Sequence, residues 1–220
     1  MSMKIIAVNG SPRRNCNTAA LLEQALKGAA AASAETERID LYGLDFKGCL
    51  SCYACKKLDG KRVCAVKDGL APVLEKLRSA DAVIFASPIY FVRITSGLHA
   101  CLERFFFPYC TFSNDKQTFC TRRLPVGYIY TSGGKKELID HYRHNLNVFE
   151  SFTEMVFNEK PRVMFSYNTS HFSDYSRYLH SAYDVEDKAR QKAEQFPRDC
   201  EAAYEFGAGL AVRAKELAAG

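Results

Sequence analysis

The first twenty-two residues constrain the fold more than any other stretch. Met3-Lys4-Ile5-Ile6-Ala7-Val8 is a short apolar run bounded by Asn9-Gly10, the pattern of a strand buried on both faces of a parallel sheet. Ser11 to Thr18 read Ser-Pro-Arg-Arg-Asn-Cys-Asn-Thr, dense in hydroxyls, amides and guanidiniums, and Ala19-Ala20-Leu21-Leu22 opens an alanine- and leucine-rich helix. Strand, polar loop and helix start, in that order, converge free backbone N–H groups and the positive end of a helix dipole on one point. Ser11, Asn17 and Thr18 add side-chain donors, and Arg13 or Arg14 supplies charge. The stretch reads as a phosphate cradle. An ordinary β–α turn with a polar capping loop is the plainer alternative, but such turns are usually much shorter.

Two other phosphate motifs fail on residues. A Walker loop needs Gly-Lys where this chain has Asn15-Cys16. The dinucleotide fingerprint needs three glycines, and only Gly10 is present. A single phosphate monoester fits better than a pyrophosphate.

Apolar periodicity predicts a first helix over 17–32, with Leu22, Ala25, Leu26 and Ala29 on one face, and a weak strand at 37–41. An irregular segment at 42–67 holds four cysteines, and Asp68 is expected to cap a helix running to Arg78 with Leu70, Val73, Leu74 and Leu77 inward. Strands follow at 82–86, 126–130 and 162–167, with helices at about 97–106 and 135–156. A final helix over 187–217 is expected to be interrupted by Pro197 and Gly207. This alternation predicts an α/β three-layer sandwich, a five-stranded parallel sheet in the order 2-1-3-4-5. In that order the polar loops after strands one, three and four meet beyond the carboxyl ends of the strands. With 220 residues and no linker or repeat, the expectation is one domain over 1–220 carrying a Cys-rich insertion at about 42–67.

A net charge of +5 without a basic block indicates neither a nucleic-acid nor a membrane surface. No apolar run approaches about eighteen residues, and the N-terminus enters a strand at once, so neither a span nor a signal peptide is expected. Nine cysteines, an odd number with a tight cluster, point to a reducing cytoplasm rather than a secreted disulfide framework.

Ser11-Pro12 with Asn17-Thr18 after a first strand resembles the FMN phosphate loop of the flavodoxin-like NAD(P)H-dependent FMN reductases and iron–sulfur flavoproteins. Cys16 stands where that family usually has glycine, and a positive φ there would strain it. Ser87-Pro88-Ile89-Tyr90-Phe91 resembles the family segment bordering the isoalloxazine ring, and Thr131-Ser132-Gly133-Gly134 resembles its third flavin loop. The resemblance thus implies FMN held by Ser11, Arg13, Asn17, Thr18 and Ala19 at the phosphate. It implies Pro88, Ile89, Tyr90, Phe91, Thr131, Ser132, Gly133 and Gly134 around the ring. It also implies NAD(P)H as co-substrate, an unidentified electron acceptor, and a homodimer or homotetramer. The chemistry would belong to the cofactor, so no catalytic side chain is nominated. His141 and His144, three apart on a predicted helix, lack an evident third ligand for a metal.

Cys49-x2-Cys52-x2-Cys55-x8-Cys64 is the second informative pattern. Three closely spaced thiols with a later fourth suit an iron–sulfur cubane better than zinc, which more often pairs two separated knuckles. The resemblance implies a [4Fe–4S] cluster on Cys49, Cys52, Cys55 and Cys64. Related FMN reductases keep a similar segment without a cluster, so both readings stand. Beyond the FMN oxidoreductase lie three further alternatives: an iron–sulfur electron carrier, a non-catalytic flavin-binding redox module, and a phosphate-ester-binding protein without flavin. The aromatic stretches from Phe105 and over 168–183 are expected to cover the flavin, a partner subunit or a sheet edge.

Overall fold

In the first strand Ile5 and Ala7 point to one face of the sheet and Ile6 and Val8 to the other, and all four are fully buried. That requires a helical layer on each side. The structure, a computed structural model, describes residues 3–58 and 60–219. Among the described residues, five parallel strands form one sheet in the order β2-β1-β3-β4-β5. The strands are β1 (Met3–Asn9), β2 (Ala34–Asp40), β3 (Ala82–Pro88), β4 (Val126–Thr131) and β5 (Arg162–Ser166). On one face lie α1 (Asn17–Ala31) and α7 (Phe196–Ala219), whose Leu22, Ala25, Phe206 and Leu210 pack on Ile5, Ile84 and Ile129. On the other lie α2 (Ala71–Ser79), α3 (Ser96–Phe106) and α5 (Val148–Phe157), packed on Ile6, Val83, Phe85 and Tyr128. Two short helices, α4 (Lys136–His141) and α6 (Val185–Arg190), follow the ends of β4 and β5. No described helix is long and apolar enough to cross a membrane.

The α1–α7 contact depends on two glycines. A Cβ on Gly28 would lie 1.9 Å from the Tyr204 carbonyl oxygen, and one on Gly207 would lie 1.8 Å from that of Ala25. Gly207 therefore does not interrupt the last helix; it lets α1 approach. Nor does Pro197 end it. Gln191–Gln195 is a π-helical stretch, and its wider turn precedes the ring that would otherwise collide with the carbonyl four residues back.

Two other expectations are corrected. The long helix expected over 135–156 is two helices, because Arg143–Asn145 tightens to a 3-10 turn and the asparagines at 145 and 147 are weak helix formers. His141 and His144 consequently do not share a helix, and both are exposed. Asp68 does not cap α2, which has Pro72 in its first turn and no side-chain cap. Its carboxylate instead accepts from the Leu70 N–H at 3.1 Å and from the Arg104 guanidinium at 2.6 Å.

Candidate functional site

At the carboxyl edge of the sheet, hydrogen bonds join the loops after β1, β3 and β4. Gly10 N–H donates to the Ala86 carbonyl at 2.8 Å, and its own carbonyl accepts from Thr95 Oγ1 at 2.7 Å. Thr95 N–H donates to Ser87 Oγ at 3.0 Å, and Ile89 N–H donates to the Thr131 carbonyl at 2.8 Å. The hydroxyls of Thr18 and Thr131 share a hydrogen bond of 2.7 Å. A Cβ at Gly10 would come within 2.8 Å of the Leu98 Cβ, so glycine lets this turn sit directly on the start of α3. Between β1 and β3 the chain reverses the direction in which it adds strands, the place where ligands of such sheets bind.

The phosphate-like loop ends at a helix start without a side-chain cap. Cys16 occupies the N-cap position in extended geometry (φ −113°), makes no capping bond, and no acidic residue stands in the first turn of α1. The strain expected from a positive φ at Cys16 is absent. The first-turn N–H groups of Asn17, Thr18 and Ala19 lack intrahelical partners and face no competing negative charge. Ser11, 3% exposed, accepts from the Arg13 N–H at 3.2 Å and donates to its carbonyl. Thr18 and Ala19 are each 2% exposed.

After β3 the chain turns back on itself at Phe91-Val92. Tyr90 and Arg93 exchange backbone hydrogen bonds across this turn at 2.8 and 3.0 Å. Phe91 (φ 48°) and Val92 (φ 55°) both take left-handed backbone. A two-residue turn with both central φ positive normally takes Asn-Gly, and a β-branched residue there is strained. The Phe91 ring is 99% exposed and Tyr90 41%. The ring thus has no packing partner among the described residues, and the turn that carries it is strained. Pro88 closes β3, and Ile89 is half-buried against the core.

Thr131 and Ser132 are buried at the end of β4, and Ser132 Oγ accepts from the Gly134 N–H at 2.9 Å. Neither Gly133 nor Gly134 has a positive φ. Their smallness matters for space, since a Cβ on Gly133 would lie 1.9 Å from the His171 ring. The start of the 168–183 segment is bonded to the phosphate-like loop. Arg13 donates to the His171 carbonyl at 2.6 Å and Asn17 to the Ser170 carbonyl at 3.0 Å. Burial, then the nearby Lys188 and Arg13, push the His171 imidazole down from its ordinary value, so it is neutral at pH 7. Lys188, 2% exposed, donates to the carbonyls of Gly133 and Thr169, and burial lowers its pKa to about 8. Thr95, His171 and Lys188 belong to no motif in the sequence. Only Thr95 left a local trace, as a hydroxyl residue before a helix.

Cys49, Cys52, Cys55 and Cys64 line one cavity with Leu50, Tyr53, Phe107 and Pro108. All four are free thiols, and burial pushes Cys55 up against the opposing pull of Lys56. The cavity holds about 20 Å³, room for about one water. Among the described residues no three His, Cys, Asp or Glu side chains are placed to hold a single metal ion. The Lys56 ammonium donates to the carbonyls of Phe107 and Cys110 and lies over the Phe107 ring. The aromatic stretch from Phe105 is thereby explained. Phe105 and Phe106 are core, while Phe107 and Phe112 pack on Tyr53 of the Cys-rich segment.

An anion-ready helix start at the reversal point of a 2-1-3-4-5 parallel sheet places the molecule among flavodoxin-like α/β proteins. The profile of the NADPH-dependent FMN reductases matches residues 3–170, and the chain belongs to that family of oxidoreductases. An iron–sulfur flavoprotein of Methanocaldococcus jannaschii is 36% identical over 102 residues, 46% of this chain and 51% of that protein. One from Archaeoglobus fulgidus is 37% identical over 102 residues, 46% of this chain and 48% of that protein. The match thus spans about half the length of these curated relatives. Among solved structures, an NAD(P)H:quinone oxidoreductase from Methanothermobacter marburgensis superposes with a TM-score of 0.68 at 16% identity, covering 96% of this chain and all of that one. An azoreductase from Bacillus anthracis superposes with a TM-score of 0.67 at 13% identity, over 94% and 99% of the two chains. At these identities the structural likeness speaks to the fold.

Proposed function

We propose that this protein is an FMN-dependent NAD(P)H oxidoreductase, passing electrons from a nicotinamide through FMN to an acceptor. The observation that carries this reading is the uncapped start of α1 beside the β1–β3 reversal, with its first turn free of acidic residues. The N–H groups of residues 17–19, with Ser11, Arg13 and Thr18, would hold the phosphate. Pro88, Ile89, Tyr90 and Phe91 would border the ring on one side, and Thr131, Ser132, Gly133 and Gly134 on another. FMN, when bound, supplies hydride acceptance and stepwise electron release. The chain itself binds, orients and shields, and hydride transfer asks no acid or base of it. Anaerobic mixing of the FMN-loaded protein with NADPH and with NADH is the test. Bleaching of the flavin absorbance by either supports the reading, and no bleaching by both overturns it in favour of a flavin-binding module. A homodimer or homotetramer, with Tyr90 and Phe91 covered by a neighbour, is part of the proposal.

A second reading is favoured by the convergence of four thiols on one apolar cavity. The relatives from M. jannaschii and A. fulgidus are named iron–sulfur flavoproteins, and the donor set suits a [4Fe–4S] cluster on Cys49, Cys52, Cys55 and Cys64. A cubane would need a wider cavity than this one, and the two walls, 46–58 and 60–70, carry one 3-10 turn between them, Ala54–Lys56. About four irons and four sulfides per chain in anaerobically prepared protein would support this, and iron near zero after reconstitution would reject it. Cys55→Ser should abolish the cluster and leave flavin binding intact. Loss of both would show that the two sites are not separate.

A further inference from the structure

Arg104 is a cation buried where charge is costly. Its side chain has no exposed surface, although it sits on α3 among Leu102, Phe105 and Phe106 of the core. A guanidinium in such a place is tolerated only when its donors are matched, and the partners come from both arms of the Cys-rich segment. From the first arm, the Lys47 carbonyl accepts from Nη1 at 3.0 Å. From the second arm, Nε donates to Cys64 Sγ at 3.3 Å and Nη2 to the Val66 carbonyl at 3.1 Å. Asp68, at the end of that arm, accepts from Nη1 at 2.6 Å. The neighbouring Glu103 carboxylate accepts from the Cys49 backbone N–H at 3.2 Å, so the same turn of α3 also holds the backbone that carries the first cysteine.

The planar fork matters here. A guanidinium offers five N–H donors in fixed directions, whereas a lysine ammonium is a point donor on a flexible stem. Only the fork reaches a sulfur, two carbonyls and a carboxylate on the two arms of one segment.

We propose that Arg104 is the positioning residue of the cysteine site: it aims Cys64 at the cavity and lays a buried positive charge against the thiolate side of the cluster. This rests on the cluster reading above. Four thiolates around a cubane carry net negative charge, and taking up one electron adds to it. A buried cation bonded to one sulfur stabilises the reduced form more than the oxidised form and raises the potential. Asp68 pulls the other way, because its carboxylate partly cancels the charge of Arg104.

Potentiometry on reconstituted protein, with dithionite as reductant, tests this alongside iron and sulfide counts. At the wild-type midpoint, Arg104→Gln should lower the reduced-to-oxidised ratio about tenfold, roughly 59 mV for a one-electron couple. Arg104→Lys should recover most of the potential while binding fewer irons, since a point donor cannot hold both arms. Asp68→Asn keeps Arg104 and should shift the midpoint upward, so the sign remains readable even if an Arg104 variant fails to fold. Loaded variants with the wild-type midpoint and full iron would overturn the role of Arg104 and leave the cluster standing. Wild-type protein that takes up no iron would overturn both.

Discussion

The hydroxyls of Thr18 and Thr131, 113 residues apart in the chain, lie 2.7 Å from each other at the carboxyl edge of the sheet. One belongs to the uncapped first turn of α1 and the other to the end of β4, so a single hydrogen bond fixes the phosphate-like loop against the third candidate flavin loop. Both side chains are buried, at 2% and 3% exposure. If Thr131 donates, the Thr18 proton stays free for an anion in front of the helix.

Thr18→Val should therefore act twice. Leaving the Thr131 hydroxyl unpaired costs about 1–2 kcal/mol of stability. Losing a donor to a charged phosphate weakens FMN binding by about 1–2 kcal/mol, roughly five- to thirtyfold. Pairing it with Thr131→Val should restore most of the stability, because two apolar partners leave nothing unsatisfied, but not the affinity. Urea denaturation and FMN titration of the three variants separate the effects. Unchanged FMN affinity in all three would remove Thr18 from the site.

Phe91→Gly should improve one property and damage another. The ring is 99% exposed and its backbone is left-handed, so within one protomer glycine removes strain and no packing. Stability should be unchanged or rise by up to about 1 kcal/mol after the entropy of the unfolded glycine is counted. FMN affinity should fall by about 0.5–1.5 kcal/mol, the scale of one aromatic contact. Thermal denaturation and flavin titration read the two signs, and a variant with wild-type affinity would make Phe91 a surface residue only.

Gly207→Ala should be among the costliest small substitutions in the chain. Its Cβ would fall 1.8 Å from the Ala25 carbonyl oxygen and 2.5 Å from its carbon. Backbone cannot swing aside, so α1 and α7 must part along their contact. A loss of about 3 kcal/mol, lowering Tm by roughly 6–12 °C, is expected. A shift below about 2 °C would mean that the helices pack less closely than described.

Lys188 gives stability a pH signature. Burial lowers its folded pKa to about 8, from 10.5, so between those values the unfolded chain binds more protons than the folded one. Stability contributed by this group therefore rises with pH across that window. Below about pH 8 it is charged in both states and the full cost of its burial is present. Relative to Lys188→Met, the wild type should gain stability from pH 7.5 to pH 10 (a window of roughly the shift itself), as read by denaturant midpoints. A difference constant with pH would place the ammonium in contact with water.

Local sequence revealed the frame and much less of its closure. The strands at β1, β3 and β4 are centred on apolar runs, and the loops that follow them carry their polar residues in consecutive positions, so fold and candidate site were legible together. What was not legible depends on distant pairs. Arg13 meets the His171 carbonyl across 158 residues, and Arg104 meets Cys64 across 40. Neither His171 nor Arg104 stands in a local pattern that marks it. Asp68 shows the converse: its position before a helix suggested a cap, and a buried guanidinium from another helix took the carboxylate instead. Gly207 was read as a break because, from one strand of text, a glycine that ends a helix and one that admits a neighbour look alike.

The most direct measurement is a crystal structure of the protein bound to FMN. The account predicts the phosphate accepting hydrogen bonds from the N–H groups of residues 17–19 and from Thr18, with the ring bordered by 88–91 and 131–134. A phosphate bound elsewhere, with the start of α1 untouched, would contradict it.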